Sequence, residues 1–367
     1  MKNKLTKSCV ALALFNICLN GQNEGAENQQ PDVLEPFSVI GSKENISNLP
    51  GSGYYIDSKE LEIFNYLDIN QILKTVPGVY LRSEEGYGLF PNISLRGVDP
   101  NRSSKVTILE DGVPSSPSPF SDPSAYYSPT SGRMSGFEVL KGSSQIKLGP
   151  NTTGGVINYL STPIPQEVTS YFRGSYGSNN ERTGHAYAGG QVELDGSKLG
   201  YLFELFDTHT DGWKTINALA DRVSSNAPVS KTDIMLKLSY ELSESSYLEF
   251  KFGRTDLDGD VSYIGLTKSD FAVNPYQRYA GTLYDNMDSD QERMYLRYLN
   301  EFSDSSNLAV TIFRNEFNRD WYKIGKVKVG AGGWNSIGKG AFGTTGVRDV
   351  LNGTTSGQVK YKHNDRS

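Results

Sequence analysis

The chain has 367 residues, with 36 Lys and Arg against 42 Asp and Glu, for a net charge of −6. That balance excludes proteins that read nucleic acid through a basic face. Beyond the first twenty residues no apolar run reaches the ~18 residues of a spanning helix. Yet 22 Tyr and 16 Phe make the chain rich in aromatics, a combination that suits strands alternating polar and apolar positions, a membrane barrel included.

Residues 1–20 place Lys2, Lys4 and Lys7 before the apolar run Val10 to Phe15. A charged region followed by an apolar one reads as an export signal, with a short buried helix as the alternative. Both cysteines, Cys9 and Cys18, lie in it. A chain that loses this segment has neither a disulfide framework nor a thiolate metal site, and no cofactor is expected.

Residues 21–53 form a flexible tail, because their opening "GQNEGAENQQPDV" is too polar to bury a core. Within the tail, Glu35-Pro36-Phe37-Ser38-Val39-Ile40-Gly41 is an extended apolar patch. It reads either as a first strand of the next domain or as a peptide that a partner captures by strand addition.

Residues 54–165 read as one compact α+β domain. Asp68 is placed to cap a short helix, Ile69, Ile72 and Leu73 share its face, and Pro77-Gly78 stops it. "NISLRG", "KVTILEDGVP" and "FEVLKG" are short alternating strands ended by Gly or Pro, with Asp111-Gly112 as a turn. The loop "PSSPSPFSDPSAYYSPTSG" is long enough to suggest a function. The stretch 136–158 carries five glycines and one proline, which no helical stripe survives.

From residue 166 to 367 the period is two, with strands expected near 168–177, 182–195, 198–207, 230–242, 247–256, 291–303, 307–322 and 355–364. In "DIMLKLSYEL", Ile234, Leu236, Leu238 and Tyr240 oppose Asp233, Lys237, Ser239 and Glu241. The turns at 195–198, 243–246 and 303–306 are tight, whereas the links at 208–229, 257–290 and 323–354 are long. Sorting of loops by side favours a transmembrane antiparallel barrel over a soluble sandwich. Eight such strands ending on "QVKYKHNDRS" read as part of a larger barrel, since an open sheet leaves unpaired edges in lipid.

"LKTVPGV", "ISLRGVDPNRSSKVTILEDGVP" and "FEVLKGSSQIKLGPNTTGGVINYLSTP" together resemble the plug domain of TonB-dependent outer-membrane receptors, most nearly the ferric-dicitrate receptor type. Arg96, Gly97, Asp111, Gly112, Lys141, Gly142, Gly149, Gly154 and Gly155 stand at matching plug positions, and 35–41 stands where the family has its TonB box. Lys141 departs from the usual Arg, and Leu148 from a common Tyr. The resemblance implies a monomeric outer-membrane importer, with the periplasmic domain of TonB, a ferric chelate and membrane lipid as partners. Arg96 and Lys141 are expected to pair with carboxylates of the barrel wall.

Enzyme readings find little support. Glu110 and Asp111 are adjacent on a strand and are expected to face opposite ways. His185, His209 and His363 are too scattered for zinc. The leading function is import of an anionic ferric chelate such as ferric citrate. Import of cobalamin or a glycan stays open, as does a binding-only barrel serving as an adhesin or a phage or bacteriocin receptor. The expected ligand face comprises Ser115, Ser116, Ser118, Ser121, Tyr126 and Tyr127, with cations in or beside the long links: Arg222, Lys231, Lys268, Arg278, Lys323, Lys326 and Lys328.

Overall fold

The computed structural model describes residues 38–121, 124–149, 152–219, 221–303, 306–337 and 346–366. The expected export signal, most of the polar tail, and Glu35, Pro36 and Phe37 of the expected box lie outside them.

The plug is built from β1 (Ser52–Ile56), α1 (Ser58–Phe64), α2 (Ile69–Leu73), β2 (Val79–Leu81), β3 (Ile93–Leu95), β4 (Val106–Glu110), β5 (Val113–Pro114), β6 (Met134–Lys141) and β7 (Gly155–Ser161). Its main sheet has the order β1-β6-β7-β4-β5, parallel only between β4 and β7, and β2 pairs with β3 apart from it. Asp68 caps α2 by accepting the Asn70 N–H at 2.7 Å, and Ile69, Ile72 and Leu73 are all buried. They pack with Val76, Ile93, Leu95, Val106, Ile108, Phe137, Val139, Ile157 and Tyr159 into the plug core. The β4–β5 hairpin turns on Asp111 and Gly112, both with positive φ, the two-residue geometry that Asp-Gly favours.

The barrel portion contains β8 (Thr169–Tyr176), β9 (Arg182–Leu194), β10 (Ser197–Thr210), the short β11 (Thr215–Ile216) and β12 (Ser225–Asn226), β13 (Val229–Ser243) and β14 (Ser246–Gly259). After them come α3 (Lys268–Val273), β15 (Gln277–Arg278), β16 (Asn286–Ser303), β17 (Ser306–Val329), β18 (Trp334–Ser336), α4 (Val347–Leu351) and β19 (Gly357–Arg366). The eight long strands correspond to the eight expected ones. They pair antiparallel in the order β8-β9-β10-β13-β14-β16-β17, with β19 and the short β18 both on β17. No closed barrel forms among the described strands.

Alternation sets the two faces. Phe203, Leu205, Leu238, Leu296 and Ile312 are exposed on the outer face, while Glu204, Asp233, Lys237, Lys251 and Arg293 are buried facing the plug. Several strands run longer than the ~9–11 residues that a tilted span needs, β16 with 18 residues and β17 with 24. The long links start from these extended ends. One expectation is corrected here: the short link 177–181 between β8 and β9 lies on the long-link side, so short connections are not confined to one end.

Candidate functional site

Two arrangements connect plug and wall, and a third lies within the plug. At mid-height an ion-pair network is sealed from solvent. Arg133, just before β6, has a fully buried side chain. It sits 2.7 Å from Glu110, 3.2 Å from Asp233 of β13 and 3.7 Å from Glu204 of β10. Lys251 of β14 bridges Glu110 at 2.7 Å and Asp111 at 2.5 Å. Arg293 of β16 reaches Glu110 and Asp233 at 3.2 and 3.3 Å. Arg297 donates to the Asp111 carbonyl at 2.6 Å. Thr130, Ser161 and Thr162 donate to Asp233, Asp111 and Glu204. Such a network is stable only because nearly every charge meets an opposite one.

Glu110 and Asp111 therefore converge, against the expectation that they face apart. The left-handed backbone at Asp111 swings its carboxylate back towards Lys251. The wall contacts expected of Arg96 and Lys141 are corrected as well. Lys141 donates to the plug's own Pro77 carbonyl at 2.6 Å, and Arg96 is exposed with positive φ. Among the described residues, Arg133 is the plug cation that pairs with wall carboxylates.

At the long-link end, cations and aromatics interleave. Arg102 pairs with Glu84 at 2.6 Å and lies over Phe90 and Tyr126, 5.2 and 5.1 Å from the ring centroids. Arg319 lies 4.1 Å from the Tyr126 centroid. Lys323 lies 3.2 Å from that of Trp321 and 4.6 Å from that of Tyr263. Trp321 also packs against Phe90, Tyr126 and Tyr263. The Trp321 indole N–H and Arg102 Nη1 are buried with no hydrogen-bond partner among the described residues. Three cations thus converge here, with Glu84 paired to Arg102.

Next to Glu84 in the chain, burial pushes the Glu85 carboxyl up to about 7, although it accepts the Leu89 N–H. Burial likewise raises Asp285 to about 6, opposed by donation from Ser262 at 2.5 Å and from the Ile324 N–H at 2.9 Å. In the links, paired donation from Arg348 holds Asp270 well below the usual carboxylate range.

The expected ligand residues divide. Tyr126 belongs to the cation–aromatic cluster. Tyr127 is buried lower down and accepts a hydrogen bond from Arg293. The Ser115 hydroxyl is turned to the Ile108 carbonyl at 3.2 Å, and Ser116 is buried. Ser118 and Ser121 lie outside the cluster, Ser121 N–H donating to the Ser118 carbonyl at 3.3 Å. Among the expected cations, Lys323 joins the cluster. Arg278 and Arg222 are engaged by backbone carbonyls of the links, Asp260 and Thr282 for Arg278 and Ala280 for Arg222. Arg102, Arg319, Trp321, Phe90 and Tyr263 were not foreseen.

The third arrangement lies on the plug sheet. Glu138 of β6, fully buried, receives the backbone N–H groups of Val39, Ile40 and Gly41 at 2.9, 2.7 and 3.1 Å, together with the Ser38 hydroxyl. Ile40 is inserted among Leu109, Leu140 and Val156. Gly97, Gly112, Gly142, Gly149 and Gly155 have positive φ, and Gly154 does not.

Residues 45–156 match the family model of the TonB-dependent Receptor Plug Domain. Among curated proteins, the chain is similar to the vitamin B12 transporter BtuB of Vibrio vulnificus, 27% identical over 260 residues, covering 71% of this chain and 40% of that protein. The same transporter of Photobacterium profundum is 24% identical over 228 residues, covering 59% and 37%. Among solved structures, the ferric citrate transporter FecA in its unliganded form aligns with a TM-score of 0.64 at 20% identity, over 77% of this chain and 42% of that one. The ferric yersiniabactin uptake receptor FyuA from Yersinia pestis aligns at 0.59 and 16%, over 76% and 42%. The chain spans less than half the length of these relatives, and the structural likeness is one of fold. Residues 45–156 therefore match the plug domain of TonB-dependent receptors, and the strands that follow share the fold of the solved receptors.

Proposed function

We propose that the chain is part of a TonB-dependent outer-membrane importer that takes an anionic ferric chelate, such as ferric citrate, at the long-link end of the plug. The observation that carries the ligand class is the convergence of Arg102, Arg319 and Lys323 on the rings of Tyr126 and Trp321. Carboxylate oxygens of a chelate would pair with the guanidinium and ammonium groups, and its apolar parts would rest on the rings. Residues 35–41 would serve as the TonB box, residues 1–20 as the export signal, and the protein would act as a monomer without cofactor.

A second reading, vitamin B12 import, is favoured by the two curated relatives that carry that name. The ligands differ in charge. An anionic chelate gains from the three cations, whereas a corrinoid without net negative charge gains mainly from the rings. Trp321 is a built-in reporter because it lies in the cluster. Purified protein is titrated with ferric citrate and with cyanocobalamin while tryptophan fluorescence is followed, with Trp321→Phe as the control. Saturable quenching by ferric citrate that is lost in Trp321→Phe supports the chelate reading. Saturation by cyanocobalamin with no response to ferric citrate overturns it in favour of the second.

A further inference from the structure

We propose that Glu138 is a carboxylate latch for residues 38–41, and that its grip is coupled to the barrel wall through Asn158 and the Asp111-Gly112 turn. The consequence for transport rests on the import reading above; the latch itself does not.

Three successive backbone N–H groups, from Val39 to Gly41, point at one carboxylate. Consecutive amides arranged this way form an anion-binding concavity. Gly41 closes it with φ +80° while its N–H also donates to the Ser38 hydroxyl oxygen at 2.5 Å. No cation pairs with Glu138 among the described residues, so these donors and Asn158 are what stabilise its buried charge. Undocking residues 38–41 would strip the carboxylate of all of them except the Asn158 amide, which donates at 2.8 Å. A buried charge does not tolerate that unless water replaces the lost donors.

The remaining donor leads to the wall. Asn158 on β7 stands opposite Glu138 in the β6–β7 register. Its amide N–H₂ donates to Glu138 and its carbonyl accepts the Gly112 N–H at 2.9 Å. The next residue back, Asp111, is gripped by Lys251 at 2.5 Å and, through its carbonyl, by Arg297 at 2.6 Å. The path from wall to segment is therefore Lys251 and Arg297, Asp111-Gly112, Asn158, Glu138, residues 38–41. A shift of the turn pulls on the Asn158 carbonyl and rotates its amide away from Glu138. The carboxylate then loses a donor and opens to water, and the segment is freed. The reverse holds too, because docking of the segment orders Glu138, Asn158 and the turn.

The test uses the full chain with Cys9→Ser and Cys18→Ser, carrying a nitroxide at Ser42→Cys to report the segment or at Lys105→Cys to report the plug body. The parent protein should give a restricted spectrum at position 42 and, at the exposed position 105, a fixed reference spectrum. Glu138→Gln should raise the mobile fraction at position 42 at least five-fold and leave position 105 unchanged. Asn158→Asp keeps the acceptor for Gly112 but sets a like charge against Glu138, and should do the same. An immobile label at 42 in both variants would overturn the latch and assign the docking to the apolar seat of Ile40. Mobility in Glu138→Gln with none in Asn158→Asp would overturn the coupling. If Glu138→Gln loosens both labels, the plug has lost its fold and Asn158→Asp alone decides. A parent protein that shows the latch but imports nothing removes the import reading and leaves the latch standing.

Discussion

Arg133 of the plug and Asp233 of the wall lie 3.2 Å apart, each with a fully buried side chain. Neither is solvated, so each depends on the buried partners around it, and the other is one of them. Removing the cation takes one ion-pair partner from Asp233, Glu110 and Glu204 at once, and leaves Glu110 and Asp233 to share Arg293. Breaking a buried pair from one side costs about 3–5 kcal/mol. Arg133→Met should therefore loosen the plug, read as faster proteolysis of residues 54–165 in the assembled protein. Asp233→Leu added to it should recover part of that loss. Strictly additive effects in the double-mutant cycle would show that the pair is not energetically coupled.

The long-link cluster makes a prediction about charge. Arg102→Gln and Lys323→Gln should each weaken ferric citrate binding roughly 5–10-fold, about 1–1.4 kcal/mol for one charge-assisted contact. Raising salt should weaken the parent more than either variant, because salt screens the attraction that draws the anion to the cluster. Cyanocobalamin binding should move little in the same variants. Equal losses for both ligands would mean that the substitutions distort the plug apex rather than remove a charge partner.

Gly155 is a plug glycine hemmed in by main chain and side chain. It has φ +154°, and a Cβ there would stand 2.5 Å from the Leu140 carbonyl oxygen and 2.5 Å from a Leu95 methyl. Gly97, with φ +81°, has nothing within 4 Å of that position. Gly97→Ala should cost only the backbone penalty of about 1–2 kcal/mol. Gly155→Ala should add a main-chain and side-chain clash of about 1–3 kcal/mol on top. Urea unfolding of the two variants side by side should rank them in that order, and equal midpoints would refute the steric reading.

The long strands were legible because their period is two over long stretches, and the same period puts Arg319, Trp321 and Lys323 on one face of β17. Their meeting with Arg102 and Tyr126 was not legible. Those residues come from plug loops some 200 positions away in the sequence, and no local pattern encodes that approach. The convergence of Glu110 and Asp111 was closer to hand. Asp-Gly signals a two-residue turn with positive φ at both positions, and a residue in that turn no longer obeys strand alternation. Arg133 was hidden in a Pro- and Ser-rich stretch whose composition suggested surface, although the polar inner face of the strands supplies it with carboxylates. The Glu138 latch has no sequence signature, because its ligands are backbone amides.

Glu85 gives a pH dependence whose sign can be worked out. Its carboxyl titrates near about 7 in the folded chain, against 4.5 ordinarily, because burial disfavours the charged form. Between those values the folded state holds a proton that the unfolded state has released. The stability of the loop that carries Glu85 is thus highest below pH 4.5, falls as pH rises to about 7, and is level above. The total change is on the order of 3 kcal/mol for one fully buried group. Asp285, raised to about 6, acts in the same direction over a lower window. Hydrogen exchange at the Leu89 amide, which donates to Glu85, should therefore speed up between pH 5 and 7.5 by more than the intrinsic rate. Glu85→Gln should remove most of that excess, because an amide of the same size keeps an acceptor for Leu89 and cannot ionise. An unchanged excess in Glu85→Gln would assign the pH dependence to another group.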